Sequence, residues 1–214
     1  MRAHYNEELC LLKQEIYQMG KLCEEILNAV TSDLKAERKR LENIRRLEQQ
    51  IDEKEREIEH KCMKLLLLQQ PVAHDLRAVS AALKMISDLE RIGDQALDID
   101  ELIPYVEKMD KTNLDIVISM VEQCIKMLSQ CIVSYMNNDV ILAKQVMEED
   151  DIVDSMYIKQ KEELVKLFET SHPDAQAGLD LLIIAKYLER IADHTTNVAE
   201  WAVYAVEGKR DALS

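Results

Sequence analysis

The hexapeptide Leu89-Glu90-Arg91-Ile92-Gly93-Asp94 returns almost unchanged as Leu188-Glu189-Arg190-Ile191-Ala192-Asp193, 99 residues later. At the same offset Asp52 meets Asp151, Glu55 meets Asp154, Leu65 meets Leu164, Leu68 meets Leu167 and Glu101 meets Glu200, with no gap from residue 52 to residue 101. Self-similarity at a fixed spacing marks one supersecondary unit used twice. The 214 residues therefore divide into halves of 1–106 and 107–214, each built to the same plan.

The repeated unit is helical. Four Gly and three Pro leave few turns, and the composition lacks the turn-rich, β-branched character that sheets require. Leu9, Leu12, Ile16, Met19, Cys23, Ile26 and Val30 keep the 3.6-residue period of one helix face. Thr31-Ser32-Asp33 reads as a break with an N-cap. A second helix runs through Ile44, Leu47, Ile51 and Ile58 to Leu68, and a third starts near Pro71 and is expected to stop at Pro104. The second half repeats this with helices from Lys111 to Met136, on to Thr170 after a break at Asn137-Asn138-Asp139, and from a cap at Ser171-His172-Pro173-Asp174 to Gly208. The expected fold is all-α: two tandem three-helix bundles, six long helices in all. Measured from Asp33 and Asp139 as equivalent caps, the first hairpin is seven residues longer, close to two turns. That stretch carries Lys35, Arg38, Lys39, Arg40, Arg45 and Arg46, a basic tip on an acidic chain.

Charge and cysteine usage narrow the function. Acidic residues number 41 against 27 basic, a net charge of −14, whereas a phosphate-backbone binder needs a surplus of Lys and Arg. Nucleic acid is thus excluded as an expected partner. Uninterrupted apolar runs such as Leu65 to Leu68 and Leu181 to Ala185 fall far short of a membrane span, and the N-terminal residues hold no apolar signal core. Five cysteines at scattered spacings spell neither a zinc ribbon nor a disulfide framework, which fits small core residues in a cytoplasmic protein.

The chemistry is concentrated in carboxylates. On a helical wheel, Leu76, Val79, Leu83 and Ile86 share a stripe with Glu90, Asp94 and Glu101, with Asp98 at its edge. The last helix repeats the stripe with Leu182 and Ala185 leading into Glu189, Asp193, Asn197 and Glu200. Like charges at i, i+4 repel, so something positive must compensate them. Arg91 and Arg190 lie about 100° round the helix and are poorly placed to cover the whole stripe. With Asp52 and Glu55, or Asp151 and Asp154, facing them from a neighbouring helix, these acids suit a hard, oxygen-seeking cation. The competing arrangement is a set of interhelical salt bridges. Two Glu-x-x-His strings, at Glu57 and Glu169, fail the repeat and so do not describe a di-iron bundle. No phosphate loop, nucleophile elbow or supported Cys/His set is present, so an enzyme is the weaker expectation.

The run Gln69-Gln70-Pro71-Val72-Ala73-His74-Asp75-Leu76-Arg77, then Asp88-Leu89-Glu90-Arg91-Ile92-Gly93-Asp94 and its echo Tyr187 to His194, resembles the PhoU family of bacterial phosphate-transport regulators over nearly the whole chain. The resemblance implies two side-by-side three-helix bundles and acidic E-x-x-x-D motifs that bind metal ions or clusters in some members. It maps those motifs onto Glu90/Asp94 and Glu189/Asp193, with Asp52, Glu55, Asp151 and Asp154 facing them. The metal would be Fe, Zn, Mn, Ni or Mg. It further implies a cytoplasmic negative regulator of the phosphate-starvation response. Such a protein contacts the ATPase subunit of the phosphate ABC transporter and a sensor histidine kinase, reaches the membrane only through partners, and is expected to be a homodimer. One departure is Asp98, where the family commonly has Asn, as at Asn197. The alternatives are a metal-dependent phosphoester hydrolase and a regulator of another anion transporter.

Overall fold

The computed structural model describes residues 2–35, 43–68, 73–170 and 174–208. Six helices follow in order: α1 Arg2–Leu34, α2 Asn43–Leu68, α3 Ala73–Val106, α4 Lys111–Asn137, α5 Val140–Thr170 and α6 Ala175–Glu207, and no strand occurs among the described residues. Helices α1, α2 and α3 pack on one another, as do α4, α5 and α6, and the two bundles join through α1 on α4 and α3 on α6. Helices α2 and α5 are left on the outer flanks. One apolar core runs through all six helices, from Leu12, Ile16 and Met19 in α1 to Leu188, Ile191 and Val198 in α6.

Side-chain contacts show the pseudo-twofold directly. Asn197 of α6 donates to Asp88 of α3 at 3.3 Å. Tyr187 of α6 hydrogen-bonds Asp98 of α3. Adding 99 to Asp88 gives Tyr187, and adding 99 to Asp98 gives Asn197, so the two contacts are exchanged by the repeat. The buried thiols follow the same rule: Cys23 donates to the Leu89 carbonyl and Cys124 to the Leu188 carbonyl, each at 3.3 Å. Helices α1 and α4 thus correspond as well, at an offset of 101. Burial pushes both thiols well above the ordinary range and Cys62 up to about 12, so they serve as core residues.

Three local expectations are corrected. Residues Thr31, Ser32 and Asp33 do not break α1, because the Thr31 hydroxyl bonds back to the Leu27 carbonyl at 2.8 Å and the helix continues to Leu34. Pro104 does not stop α3. Its fixed φ is helical and it forfeits only one hydrogen bond near the end, so the helix reaches Val106. Helix α4 is long and apolar enough to cross a membrane by length and composition, because polar residues interrupt its apolar runs without lowering its mean hydropathy far; its Val117, Met120, Cys124, Met127, Leu128 and Cys131 are fully buried in the bundle. The extra seven residues of the first hairpin, with most of its basic tip, lie outside the described residues. Of the tip's flanks, Lys35 pairs with Glu122 at 2.7 Å and Arg45 with Glu101 at 3.4 Å.

The expected caps of the second half are present. Asn138 takes the left-handed conformation, φ 54°, and ends α4, and Asp139 Oδ1 accepts from the Ile141 and Leu142 amides at 3.1 and 3.0 Å. Asp174 caps α6 through the Gln176 amide at 3.0 Å, and Gly208 at φ 71° closes it. Asp139→Ala is expected to cost about 1 kcal/mol, read as a lower urea midpoint at unchanged slope. An unchanged midpoint would show that the turn does not depend on this cap.

Candidate functional site

Each acidic stripe becomes one wall of a groove between two helices. In the first groove α2 presents Glu48, Asp52 and Glu55 on successive turns, and α3 presents Glu90 and Asp94. Carboxylate oxygens of Glu48, Asp52 and Asp94, all half-buried, lie within 4.8 Å of one another. Burial, reinforced by the neighbouring acids, raises the carboxyls of Glu48, Glu55, Glu90 and Asp94 above their ordinary range. Arg91 opposes this at one side: it lies 3.4 Å from Glu90 and 3.1 Å from Asp94, reaching both despite its offset round the helix.

The second groove is similar but not a copy. Helix α5 presents Asp150, Asp151 and Asp154, and α6 presents Glu189 and Asp193. Lys186 binds both oxygens of Glu189 at 2.5 Å. Burial first, then Asp193, Asp154, Glu189 and Asp151, push Asp150 up to about 7. Its Oδ1 is buried without a hydrogen-bond partner. The repeat explains how the acid came to sit so deep: the residue equivalent to Asp150 is Ile51, fully buried in the first half. There a Cβ on Gly93 would lie 3.1 Å from Ile51 Cδ1, so Gly93 makes room for the larger side chain. The equivalents of Gly93 and Ile51 are Ala192 and Asp150, a larger residue on α6 matched with a smaller one on α5.

Not every acid of the stripes joins a groove. Asp98 turns to Tyr187 across the α3–α6 contact, and Asn197 turns to Asp88. Glu101 is exposed and pairs with Arg45. Glu200 is half-buried on α6, seven residues and therefore about 10 Å beyond Asp193. Conversely, Glu48 and Asp150 are central to their grooves, and comparison of the halves hides both: their repeat partners are Met147 and Ile51. Spacing would have found them, since Glu48–Asp52 and Asp150–Asp154 are i, i+4 pairs. His194 is neither a surface nor a capping residue, for its Nδ1 lies 2.9 Å from Asp88 Oδ1 and ties α6 to α3.

The donor set fits a hard divalent cation. Salt bridges account for Glu90, Asp94, Glu101 and Glu189. Among the described residues no Lys or Arg lies at salt-bridge distance from Glu48, Asp52, Glu55, Asp150, Asp154 or Asp193. The oxygen-only donors that converge in the first groove, Glu48, Asp52 and Asp94, suit Mg or Mn by hardness, and iron or zinc also accept carboxylates; in the second groove the orphaned Asp150 oxygen lies among acids that, among the described residues, do not converge as closely.

The protein is thus a duplicated three-helix bundle with an acidic groove in each half. The family model for the PhoU domain matches the chain twice, over residues 16–103 and 117–202. A protein of Clostridium acetobutylicum named phosphate-specific transport system accessory protein PhoU homolog is 32% identical, covering 100% of this chain and 99% of its own. A Synechocystis protein of the same name is 34% identical over 98% of this chain and 94% of its own. The crystal structure of PhoU from Pseudomonas aeruginosa superposes with a TM-score of 0.88 at 28% identity, covering 96% of this chain and 100% of that one. That of the phosphate transport system regulatory protein PhoU from Streptococcus pneumoniae gives 0.87 at 26%, covering 96% and 98%. The chain belongs to the PhoU family.

Proposed function

We propose that this protein is a cytoplasmic negative regulator of phosphate uptake and of the phosphate-starvation response, acting by docking rather than by turnover. The observation that carries this reading is likeness along the whole chain, in both repeats, to proteins named as accessory or regulatory components of phosphate transport. Its partners in this reading are the ATPase subunit of the phosphate transporter and a phosphate-sensing histidine kinase. The membrane is reached only through them, and the working unit is a homodimer. Net charge −14 steers the chain towards basic partner surfaces.

In the same reading Glu48, Asp52, Glu55, Glu90 and Asp94 would hold a divalent cation in the first groove, and Asp150, Asp154, Glu189 and Asp193 in the second. A bound cation would supply positive charge to Glu48, Asp52, Glu55, Asp150, Asp154 and Asp193, which Arg91 and Lys186 do not pair with. A second reading, a metal-dependent phosphoester hydrolase, is favoured by one feature: Asp150 titrates near 7, where a general base works best. Affinity capture of the full chain from cells at low and high phosphate, with metal analysis of the purified protein, separates the two. Docking predicts recovery of transporter ATPase and kinase and no phosphoester turnover with added Mn or Mg; turnover without partner capture would favour the hydrolase.

A further inference from the structure

The two hairpins that form the grooves differ at several exposed positions. On α5, Asp154, Ile158 and Val165 fall within about 40° of one another, on the side turned to Glu189 of α6. Ile158 is 57% exposed and Val165 53%. One turn further Phe168, 41% exposed, covers Gly178 of α6 so closely that a Cβ there would lie 2.5 Å from its ring. Leu179 and Ile183, 55% and 43% exposed, continue the strip on α6 towards Lys186, whose ammonium lies 5.4 Å from the centre of the Tyr157 ring. A largely apolar strip, interrupted on α5 by the exposed Lys161, therefore leads from the second acidic groove towards the end of α5 and the start of α6.

The first repeat supplies an internal control. At the positions of Ile158, Leu179 and Ile183 it carries Glu59, Ser80 and Lys84. The same fold is thus built with polar residues at these positions, so the fold does not require the apolar ones. A run of exposed Ile, Val, Phe and Leu next to a charged groove marks an interaction surface. The charge beside it selects the occupant. Lys166 and Lys186 are held by Glu163 and Glu189, which leaves Lys159 and Lys161 against Asp150, Asp151, Asp154, Glu162 and Asp193. A second copy of the chain would bring a like-charged groove against this one.

We propose that this strip docks a partner helix whose apolar face covers Ile158, Val165, Phe168, Leu179 and Ile183 and whose adjoining Lys or Arg residues enter the cation-free groove at Asp150, Asp154 and Asp193, taking the place of the divalent cation there. This helix-in-groove mode draws affinity from the apolar anchors and orientation from the charges. The inference deepens the docking reading above and rests on it. The test uses the full chain in chelator-treated buffer and two synthetic amphipathic helical peptides, one of Leu and Lys and one with Glu in place of Lys. The Lys peptide is expected to bind and the Glu peptide not. Ile158→Glu with Leu179→Ser, residues the first repeat already carries, adds negative charge yet is expected to weaken the Lys peptide at least tenfold. Asp154→Asn with Asp193→Asn should weaken it several-fold and flatten its salt dependence. Should the first pair melt early, Ile183→Ser on the exposed side of α6 gives the same readout. Equal binding of both peptides, or undiminished affinity in the apolar variants, would overturn the proposal. So would self-association of the chain that those variants abolish, which would assign the strip to a second copy. Capture of partners from cells that is unaffected by Ile158→Glu with Leu179→Ser would overturn the surface and leave the docking reading standing.

Discussion

Gly20→Ala is expected to destabilise the protein by about 2 kcal/mol, although the same change in an exposed helix would stabilise it by about 1. Gly20 lies on α1 where it meets α4. A Cβ there would stand 2.4 Å from Ile132 Cδ1 and 2.6 Å from its Cγ1. Ile132 is fully buried, and the density of packed interiors gives its side chain little room to move aside. The clash must be relieved by shifting α1 against α4, one of the two contacts that join the bundles, and packed interiors resist such shifts. Gly20→Leu should cost more. Ile132→Val, which removes the nearest carbon, should restore part of the loss in the double variant, so that the cycle shows coupling between the two sites. Denaturant melts measure all four proteins; a Gly20→Ala protein as stable as the parent would contradict the close approach.

The second large effect concerns pH. Asp150 titrates near 7 in the folded chain against 3.8 for a free side chain, and Glu48, Glu55, Glu90, Asp94, Asp154 and Asp193 are raised in the same direction. The folded state therefore holds more protons than the unfolded chain between about pH 4 and 7, and stability falls as pH rises through that window. Solvent reaches these half-open groups, so the loss is expected to be on the order of 1 kcal/mol for Asp150 rather than the full shift. A divalent cation should reverse it. At a hundredfold excess over its dissociation constant a ligand adds about 2.7 kcal/mol. The melting temperature of chelator-treated protein should thus fall from pH 5.5 to 8 and recover with Mn. Asp150→Asn should flatten the pH dependence, and Glu90→Ala with Asp94→Ala should abolish cation binding in the first groove while leaving the second. A pH-independent melt unaffected by Mn or Mg would remove the cation from the account.

The fold was legible because the repeat and the helical period agree. The offset from Leu89 to Leu188 and the register from Asp52 to Glu101 foreshadowed which helices pair, and Asp139, Asp174 and Gly208 act as the caps their residue types suggested. Where local chemistry offers two outcomes, packing decided. Thr31 bonds within its helix instead of capping the next one, and Pro104 is carried through the last turn of α3. The acidic grooves proposed as the site were legible in part. Acids that recur in both halves led to Asp52, Glu90, Asp94, Asp154, Glu189 and Asp193, but the same criterion passed over Glu48 and Asp150, which break the repeat. A helical wheel places residues on a face and does not say which neighbour that face meets. That is why Asp98 and Asn197, assigned to the acidic stripes, turn instead to Tyr187 and Asp88 at the joint between the bundles.

Deleting the gene and measuring phosphate-starvation gene expression in cells grown with abundant phosphate tests the regulatory function most directly. The account predicts strong expression despite the phosphate, with repression restored when the unaltered chain is supplied again. Full repression in the deleted strain, equal to that of its parent, would contradict it.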